Sequence, residues 1–169
     1  CQMSLRLSSM DTGIQMVLKN QYKMLSIDDL PKYSFDEVGF RVYSQNSEDG
    51  ILLFIFSLIG ITNKRCLEIC AGNGIQNNTA NLIINHGWYG LLFEGNLKLV
   101  EEGKQFYKNH PATFSFPPQF VHAWITKTNI NNLIFDNGME GEIDLLSLDV
   151  DGVDYWLWDA LHIVSPRVV

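Results

Sequence analysis

The sequence is poor in cysteine, and its few cysteines do not form a recognisable set. Three of the 169 residues are cysteine, too few for the disulfide framework of a small secreted protein. Cys66 and Cys70 stand four positions apart in a predicted strand, too far to bridge at about 3.3 Å per residue. No combination of cysteine and histidine has the spacing of a zinc site. We therefore expect buried thiols in a reducing, cytoplasmic compartment. We also expect no metal site, since Asp149 and Asp151 without further ligands make only a weak case for a divalent ion.

Long hydrophobic runs and positive charge are also scarce. The longest apolar run, Ile51–Ile59, is broken by Ser57 and falls short of the roughly 20 residues that span a bilayer. The chain has 12 basic and 19 acidic residues, a net charge of −7, which is the wrong sign for general binding to phosphate backbones. These features predict a protein without a membrane span and without a nucleic-acid partner.

What the chain does have is enough apolar material for a core. Hydrophobic residues make up 46% and aromatic residues 12% of the sequence, and its length suits one domain. Residues 1–42 are polar and mixed, with a weak helical pattern over Ile14–Leu25, so we expect a mostly helical N-terminal extension before a domain at 43–169. Ser47 followed by Glu48 and Asp49 predicts a capped helix start, and this helix should end before Gly60.

Beyond Gly60, short apolar runs alternate with longer amphipathic ones, a pattern typical of parallel strands joined by helices. The predicted strands are Arg65–Ile69, Leu91–Phe93, Gln119–His122, Asp144–Asp149 and Arg167–Val169. The predicted helices between them are Asn77–Asn85, Leu97–Asn109, Asn129–Phe135 and Val153–Ile163. Such α/β sheets bind ligands at the carboxyl ends of their strands, where the strand order reverses.

A glycine-rich turn follows the first predicted strand. Gly72 and Gly74 allow close approach of a ligand and a positive φ. A dinucleotide fingerprint needs a third glycine where this chain has Asn77. Glu68, just before the turn, is suited to a cationic amino-acid group through a backbone or water contact. An ordinary strand–helix turn explains the same glycines.

Residues at the ends of two further predicted strands are suited to binding a nucleoside. Glu94 lies 22 residues after Gly72, the position from which a carboxylate accepts both ribose hydroxyls, although NAD would use the same residue. After the third strand, Trp124 or Ile125 could flank an adenine ring while backbone groups read its edge, and Ala123 is a further candidate for cofactor binding. Trp124 suits a core position equally well, and His122 is more readily explained as structural than as catalytic.

Acidic residues crowd the end of the fourth predicted strand. Asp149, Asp151 and Asp154 follow an apolar segment. This segment is too continuous to have a solvent-exposed face, so we expect a central strand buried on both sides. Crowded carboxylates raise one another's pKa, so one of them could act as a general base. A turn at Asp151 and a helix start at Asp154 explain those two residues as well.

These motifs together resemble a known family. The segments 68–74 (EICAGNG), 93–95 (FEG) and 148–152 (LDVDG) resemble class I S-adenosylmethionine-dependent methyltransferases. Segments 43–50 (YSQNSEDG) and 77–79 (NNT) resemble the FkbM-like branch. The resemblance implies a doubly wound, Rossmann-like sheet in which Glu68, Gly72 and Gly74 line the methionine part of the cofactor. It also implies that Glu94 takes the ribose and that Asp149 stands at the methyl-transfer site.

The implied reaction is transfer of a methyl group from S-adenosylmethionine to a hydroxyl of a small molecule or sugar, with Asp149 or Asp151 as base. One position departs from the family, because Cys70 stands where a glycine is usual and its side chain narrows the turn. Two alternatives stay open: an inactive binding or structural module with this fold, and an NAD-dependent oxidoreductase.

The family's sheet has seven strands, and this chain stops at the fifth predicted strand, Arg167–Val169. The sequence therefore predicts a sheet truncated after its fifth strand. An edge strand left uncovered exposes unpaired backbone groups, so we expect self-association or a partner that covers this strand.

Overall fold

A computed structural model describes the backbone of residues 2–169 and the side chains of residues 12–169. The chain divides into two compact units, residues 1–61 and 62–169. The helix that follows Ser47 makes its helix–helix contacts within the first unit. The first unit therefore contains both the predicted extension and the first helix of the predicted 43–169 domain.

The first unit consists of helices. It contains α1 (Gln2–Tyr22), a 3-10 helix (Ile27–Lys32), α2 (Phe35–Val38) and α3 (Glu48–Ile59). The weak pattern over Ile14–Leu25 corresponds to the second half of α1, which begins earlier than the pattern predicts. Packing between α1 and α3 includes Tyr22 and Phe54, whose ring centroids are 5.0 Å apart, edge to face. As predicted, α3 ends before Gly60, which follows Ile59 as the C-cap and has φ of 76°.

The start of α3 is held differently from the prediction. Ser47 makes no side-chain cap; instead, the hydroxyl of Ser44 accepts a hydrogen bond from the backbone N–H of Asp49. Asp49 Oδ2 in turn accepts hydrogen bonds from three backbone N–H groups, those of Val42, Tyr43 and Ser44. The carboxylate is almost fully buried, so it fixes the segment before the helix to the first helical turn.

The longest apolar run of the sequence lies in α3, which has 12 residues. At about 1.5 Å per residue such a helix is roughly 18 Å long, whereas the hydrocarbon core of a bilayer is about 30 Å thick. Over the described residues, the structure contains no helix with both the length and the apolar character to cross a membrane.

The second unit is a five-stranded sheet of parallel strands flanked by helices. The strands are β1 (Arg65–Ile69), β2 (Tyr89–Glu94), β3 (Gln119–His122), β4 (Gly141–Leu148) and β5 (Val164–Val168). The helices are α4 (Ala80–His86), α5 (Leu97–Asn109), α6 (Ile130–Asp136) and α7 (Asp154–Ala160). The strand order is β3-β2-β1-β4-β5. The architecture is that of a Rossmann-like α/β fold, and the predicted α/β class is confirmed.

Several predicted boundaries were wrong. β4 begins at Gly141, not Asp144, and β5 begins at Val164, not Arg167, because the first residues of these strands pair with each other (Gly141 with Val164, Glu142 with Ser165). Gly141, Glu142 and Ser165 are exposed, so the starts of these strands lack a continuous apolar pattern. Helix α7 ends at Ala160, three residues before the predicted end at Ile163.

The two faces of the sheet pack against different helices. Leu67 and Phe93 belong to a buried cluster with residues of α6 and α7, including Ile130 and Leu157. On the opposite face, the side chain of Phe120 lies against Gly103 of α5, where a Cβ would come within 2.5 Å of its ring. Helices thus cover both faces, as in a doubly wound sheet.

A buried carboxylate closes the amino end of the sheet. Asp144 has no exposed surface and accepts hydrogen bonds from the backbone N–H groups of Thr62, Asn63 and Lys64. Arg167 on the adjacent strand β5 donates to it at 2.8 Å. Burial opposes ionisation of this carboxyl, but the hydrogen bonds from Thr62 and Arg167 outweigh it, so the pKa of Asp144 lies below its ordinary value.

We expect Asp144→Asn to lower the free energy of unfolding by about 3 kcal/mol, the lower end of the range for breaking a buried ion pair, because Arg167 is partly exposed. Since the folded pKa is depressed, the stabilisation by Asp144 is present above its ordinary value of 3.8 and is lost as the pH falls through the folded pKa. Urea denaturation of both proteins at pH 7 and pH 3 checks this. A difference in stability that is equally large at both pH values would contradict it.

Candidate functional site

The sheet register brings three strand ends side by side. Ile69 of β1 pairs with Phe93 of β2 and with Leu148 of β4. The next residues along these strands are Cys70, Glu94 and Asp149, so they follow one another along the carboxyl edge of the sheet. The strand order reverses between β1 and β4, and this is where ligands bind in open α/β sheets.

Glu94 connects the end of β2 to the glycine turn. Its Oε2 accepts a hydrogen bond from the N–H of Gly72 at 2.9 Å, and its Oε1 accepts one from the N–H of Asn96 at 2.8 Å. The side chain is partly exposed, and each oxygen keeps a further lone pair. Glu94 can therefore accept hydrogen bonds from a ligand at the glycine turn.

The two glycines of the turn have different surroundings. Gly72 has φ of 58° and nothing within 4 Å of the position of a Cβ, so its face is open to a ligand. Gly74 has φ of 71°, and a Cβ there would lie 2.6 Å from Phe120 and 2.9 Å from Tyr107. The hydroxyl of Tyr107 also donates to the carbonyl of Gly74. Gly74 is thus required by packing inside the unit, whereas Gly72 lines the edge.

Cys70 is the first residue of the turn and is exposed, which corrects the prediction that it is buried; Cys66 is buried as predicted. Its φ of 65° lies in the left-handed region that favours glycine. Partial burial raises the pKa of the Cys70 thiol, and the charges of Glu94, Asp149 and Asp151 raise it further. These carboxylates therefore lie near enough to Cys70 to act on it.

The three aspartates after β4 do not share one role. Asp149 and Asp151 are exposed, and Asp151 adopts a φ of 45°. Asp154 accepts hydrogen bonds from the backbone N–H groups of Val150 at 2.6 Å and Gly152 at 3.2 Å. The hydrogen bond from Val150 lowers the pKa of Asp154. Asp154 closes the loop before α7, and Asp149 and Asp151 are left to face solvent.

The segment after β3 lies beside Glu94. The N–H of Ala123 donates to the carbonyl of Glu94 at 3.0 Å. Trp124 is 78% exposed, so it is not a core residue. Its ring lies against Gly95, where a Cβ would come within 2.7 Å of the indole. His122 is hydrogen-bonded through Nε2 to the carbonyl of Gly95, which agrees with a structural role.

Glu68 is not brought together with the other predicted site residues. It is 4% exposed, and its carboxylate accepts hydrogen bonds from Asn78, Thr79 and Ser147. Burial raises the pKa of Glu68, and the hydrogen bonds from Thr79 and Asn78 offset only part of this effect. Both oxygens are occupied by groups of the protein. Glu68 therefore lies behind the glycine turn and does not line the open edge.

Sequence reasoning missed an aromatic cluster next to this edge. Tyr155 and Trp156 are more than half exposed, and their ring centroids are 5.1 Å apart. The ammonium of Lys127 lies 5.1 Å from the centre of the Trp156 ring, a cation–π distance. The signal available in the sequence is the pair of aromatic residues that follows Asp154 directly.

A separate apolar groove runs along the outer side of α5. It is lined by Ile75, Phe106 and Pro111 together with polar residues of α5, among them Glu101 and Gln105. It adjoins the glycine turn only through Ile75, which is the residue after Gly74. This groove does not contain the carboxylates of the carboxyl edge.

The carboxyl edge thus joins Gly72, Glu94, Asp149 and Asp151 in one region, with Ala123 and Trp124 beside it. Among the side chains of residues 12–169, no group of three or more histidine, cysteine or acidic residues is arranged to hold a metal ion. In comparisons with family models, curated proteins and solved structures, the chain matches none of them.

Proposed function

We propose that the second unit binds S-adenosylmethionine at the carboxyl edge of its sheet and transfers the methyl group to a hydroxyl of a small molecule or sugar. This is the activity of the FkbM-like methyltransferases that the sequence motifs resemble. The observation that carries the proposal is the position of Glu94, hydrogen-bonded to the N–H of Gly72 and adjacent to the open face of that glycine. A carboxylate with free lone pairs at this position suits the two hydroxyls of a ribose.

The charge of the edge supports a cationic cofactor. Glu94, Asp149 and Asp151 lie near Cys70, and their charges raise the pKa of its thiol. A negative field of this kind favours positive ligands, and S-adenosylmethionine carries a sulfonium and an ammonium group. The pyrophosphate of NAD carries negative charge and would be repelled by Asp149 and Asp151, whereas Glu94 suits the ribose of either cofactor.

The start of α4 also argues against the oxidoreductase alternative. Dinucleotides place their pyrophosphate on the free backbone N–H groups at the start of the helix after the glycine turn. Here the N–H groups of Asn78 and Thr79, just before α4, donate to the buried carboxylate of Glu68. The amides that a pyrophosphate would use are therefore already taken.

Each residue of the edge has a role in this proposal. Glu94 accepts hydrogen bonds from the ribose, Gly72 allows the cofactor to approach the backbone, and Ala123 and Trp124 flank the adenine. When bound, S-adenosylmethionine supplies an electrophilic methyl group. Asp149, aided by Asp151, accepts the proton that the acceptor hydroxyl loses. The rest of the protein's contribution is to orient the acceptor and exclude water.

An inactive binding module is the alternative that a specific observation favours. Cys70 brings a side chain, in a left-handed conformation, to the position where the family has glycine. That side chain reduces the space at the turn and would weaken binding of the cofactor. We also propose a cytoplasmic location and self-association through β5. In the described sheet β5 pairs only with β4, and it contains Pro166.

Isothermal titration calorimetry tests the proposal with three ligands: S-adenosylmethionine, S-adenosylhomocysteine and NAD. We expect the first two to bind and NAD not to bind, since the edge is acidic and the amides before α4 are occupied. Binding of NAD alone would contradict the proposal and support an oxidoreductase. Binding of S-adenosylmethionine without methyl transfer to any hydroxyl acceptor would support the binding module.

A further inference from the structure

Glu68 is the centre of a buried hydrogen-bond network that joins β1, β4 and the loop before α4. Its Oε1 accepts from the N–H of Asn78 and the hydroxyl of Ser147, both at 3.1 Å. Its Oε2 accepts from the N–H of Thr79 at 3.0 Å and from the hydroxyl of Thr79. The amide side chain of Asn78 donates to the Ser147 hydroxyl at 3.1 Å and closes the network.

The network lies where two strands of the sheet meet the glycine-turn segment. Glu68 and Ser147 are paired in the register of β1 and β4, the two strands between which the strand order reverses. Asn78 and Thr79 end the segment that begins with Cys70. The contacts of Glu68 therefore fix the far end of this segment to the floor of the candidate site.

A second set of contacts closes the same segment on itself. The side chain of Asn77 accepts a hydrogen bond from the N–H of Ala80 at 2.8 Å and donates to the carbonyl of Ala71 at 3.4 Å. The N–H of Gly74 donates to the same carbonyl at 2.9 Å. Fixing the end of the segment at Asn78 and Thr79 therefore also limits the movement of Ala71 and its neighbour Gly72.

We propose that Glu68 is a positioning residue for the ligand site: it holds residues 71–79 so that the N–H of Gly72 meets Glu94 and the open face of Gly72 stays available. Its effect on cofactor affinity rests on the proposed function, whereas its effect on the segment does not. Glu68 itself touches no ligand, because groups of the protein occupy both of its oxygens. A buried carboxylate is costly without such partners, so the network holds only when its donors are in place.

Two substitutions at Thr79 separate this role from simple packing. Thr79→Val keeps the side-chain volume and removes the hydroxyl that donates to Glu68, whereas Thr79→Ser keeps the hydroxyl and removes a methyl group. We expect Thr79→Val to weaken binding of S-adenosylhomocysteine by about tenfold or more, as expected for a lost hydrogen bond to a charged group, and Thr79→Ser to retain most of the affinity. An equal loss in both variants, or a larger loss in Thr79→Ser, would overturn the proposal.

Hydrogen exchange measured by mass spectrometry provides a readout that needs no ligand. In Glu68→Gln we expect faster exchange in peptides that cover residues 71–77, including the amides of Gly72 and Gly74, which Glu68 does not contact. The matched control is Asp144→Asn, which removes a second buried carboxylate that binds backbone amides at the opposite end of the sheet. That variant should speed exchange at 62–64 and leave 71–77 unchanged.

The two experiments also distinguish failure of this inference from failure of the proposed function. If the unsubstituted protein binds no S-adenosylhomocysteine but Glu68→Gln alone speeds exchange at 71–77, the methyltransferase proposal fails and the positioning role stands. If Glu68→Gln and Asp144→Asn speed exchange at 71–77 equally, Glu68 only supports the fold and the inference is wrong. Should Glu68→Gln fail to fold, the exchange comparison is made with Thr79→Val against Thr79→Ser, and equal rates at 71–77 would overturn the inference.

Discussion

Glu94→Ala should weaken binding of S-adenosylmethionine by about 1–3 kcal/mol, or roughly fivefold to 150-fold, the range for leaving buried polar groups unpaired. Two effects act in the same direction. The substitution removes the acceptor that we propose for the ribose hydroxyls, and it leaves the N–H of Gly72 without the oxygen that now lies 2.9 Å from it. The second effect loosens the glycine turn on which the ligand rests.

Calorimetric titration of the variant and the unsubstituted protein measures this difference. Glu102→Ala is the matched control, because Glu102 is an exposed glutamate on α5 whose ion pair with Lys98 is long, at 3.9 Å. We expect its affinity to equal that of the unsubstituted protein. If Glu94→Ala binds S-adenosylmethionine as tightly as Glu102→Ala does, Glu94 does not contact the ribose.

Continuous apolar patterns made much of the second unit predictable from sequence. The bounds of β1, β3 and α5 agree with the prediction, because buried strands and a strongly amphipathic helix leave a clear signal. The start of α4 does not: the structure begins it at Ala80 instead of Asn77. Asn77 bonds to the backbone at both ends of the glycine-turn segment, and asparagine in such local bonds competes with helix formation.

The position of Glu68 shows a different limit of sequence reasoning. Its place at the end of β1 predicts a residue at the edge of the site. Side chains of a strand alternate between faces, so Glu68 points away from the face of Leu67 and Ile69 and toward the segment before α4. Its partners Thr79 and Ser147 are 11 and 79 positions away. No local pattern in the sequence reveals contacts of that separation.

The carboxyl edge itself could be predicted from the sequence. Which of its acidic side chains are hydrogen-bonded to the backbone and which stay exposed could not. Glu94, Asp149 and Asp151 follow strands, and parallel topology brings such residues to one edge. Which acid is already bonded to the backbone depends on the loop conformation. Asp151 adopts a left-handed φ, and this turn lets Asp154 reach the N–H groups of Val150 and Gly152. The structure thereby distinguishes Asp154 from the two exposed aspartates.

Asp149→Asn should lower the rate of methyl transfer by roughly 10²–10⁴-fold, the range for loss of a general base. Asp149 follows Leu148, which pairs with Ile69 in the register, so it lies beside the glycine turn at the point where the strand order reverses. It is exposed, and an exposed carboxylate is free to accept a proton from an acceptor hydroxyl. Asparagine keeps the shape of the side chain but cannot take the proton.

The same variant should bind S-adenosylmethionine within about fivefold of the unsubstituted protein, since one exposed charge at the edge contributes roughly 1 kcal/mol or less to affinity. Single-turnover methylation and calorimetric titration together separate the two effects. Asp159→Asn is the control, because Asp159 is an exposed aspartate on α7 away from the strand ends, and it should change neither quantity. A loss of affinity as large as the loss of rate would make Asp149 a cofactor-binding residue. An unchanged rate in Asp149→Asn with a reduced rate in Asp151→Asn would transfer the role of base to Asp151, which the left-handed turn leaves equally open to the acceptor.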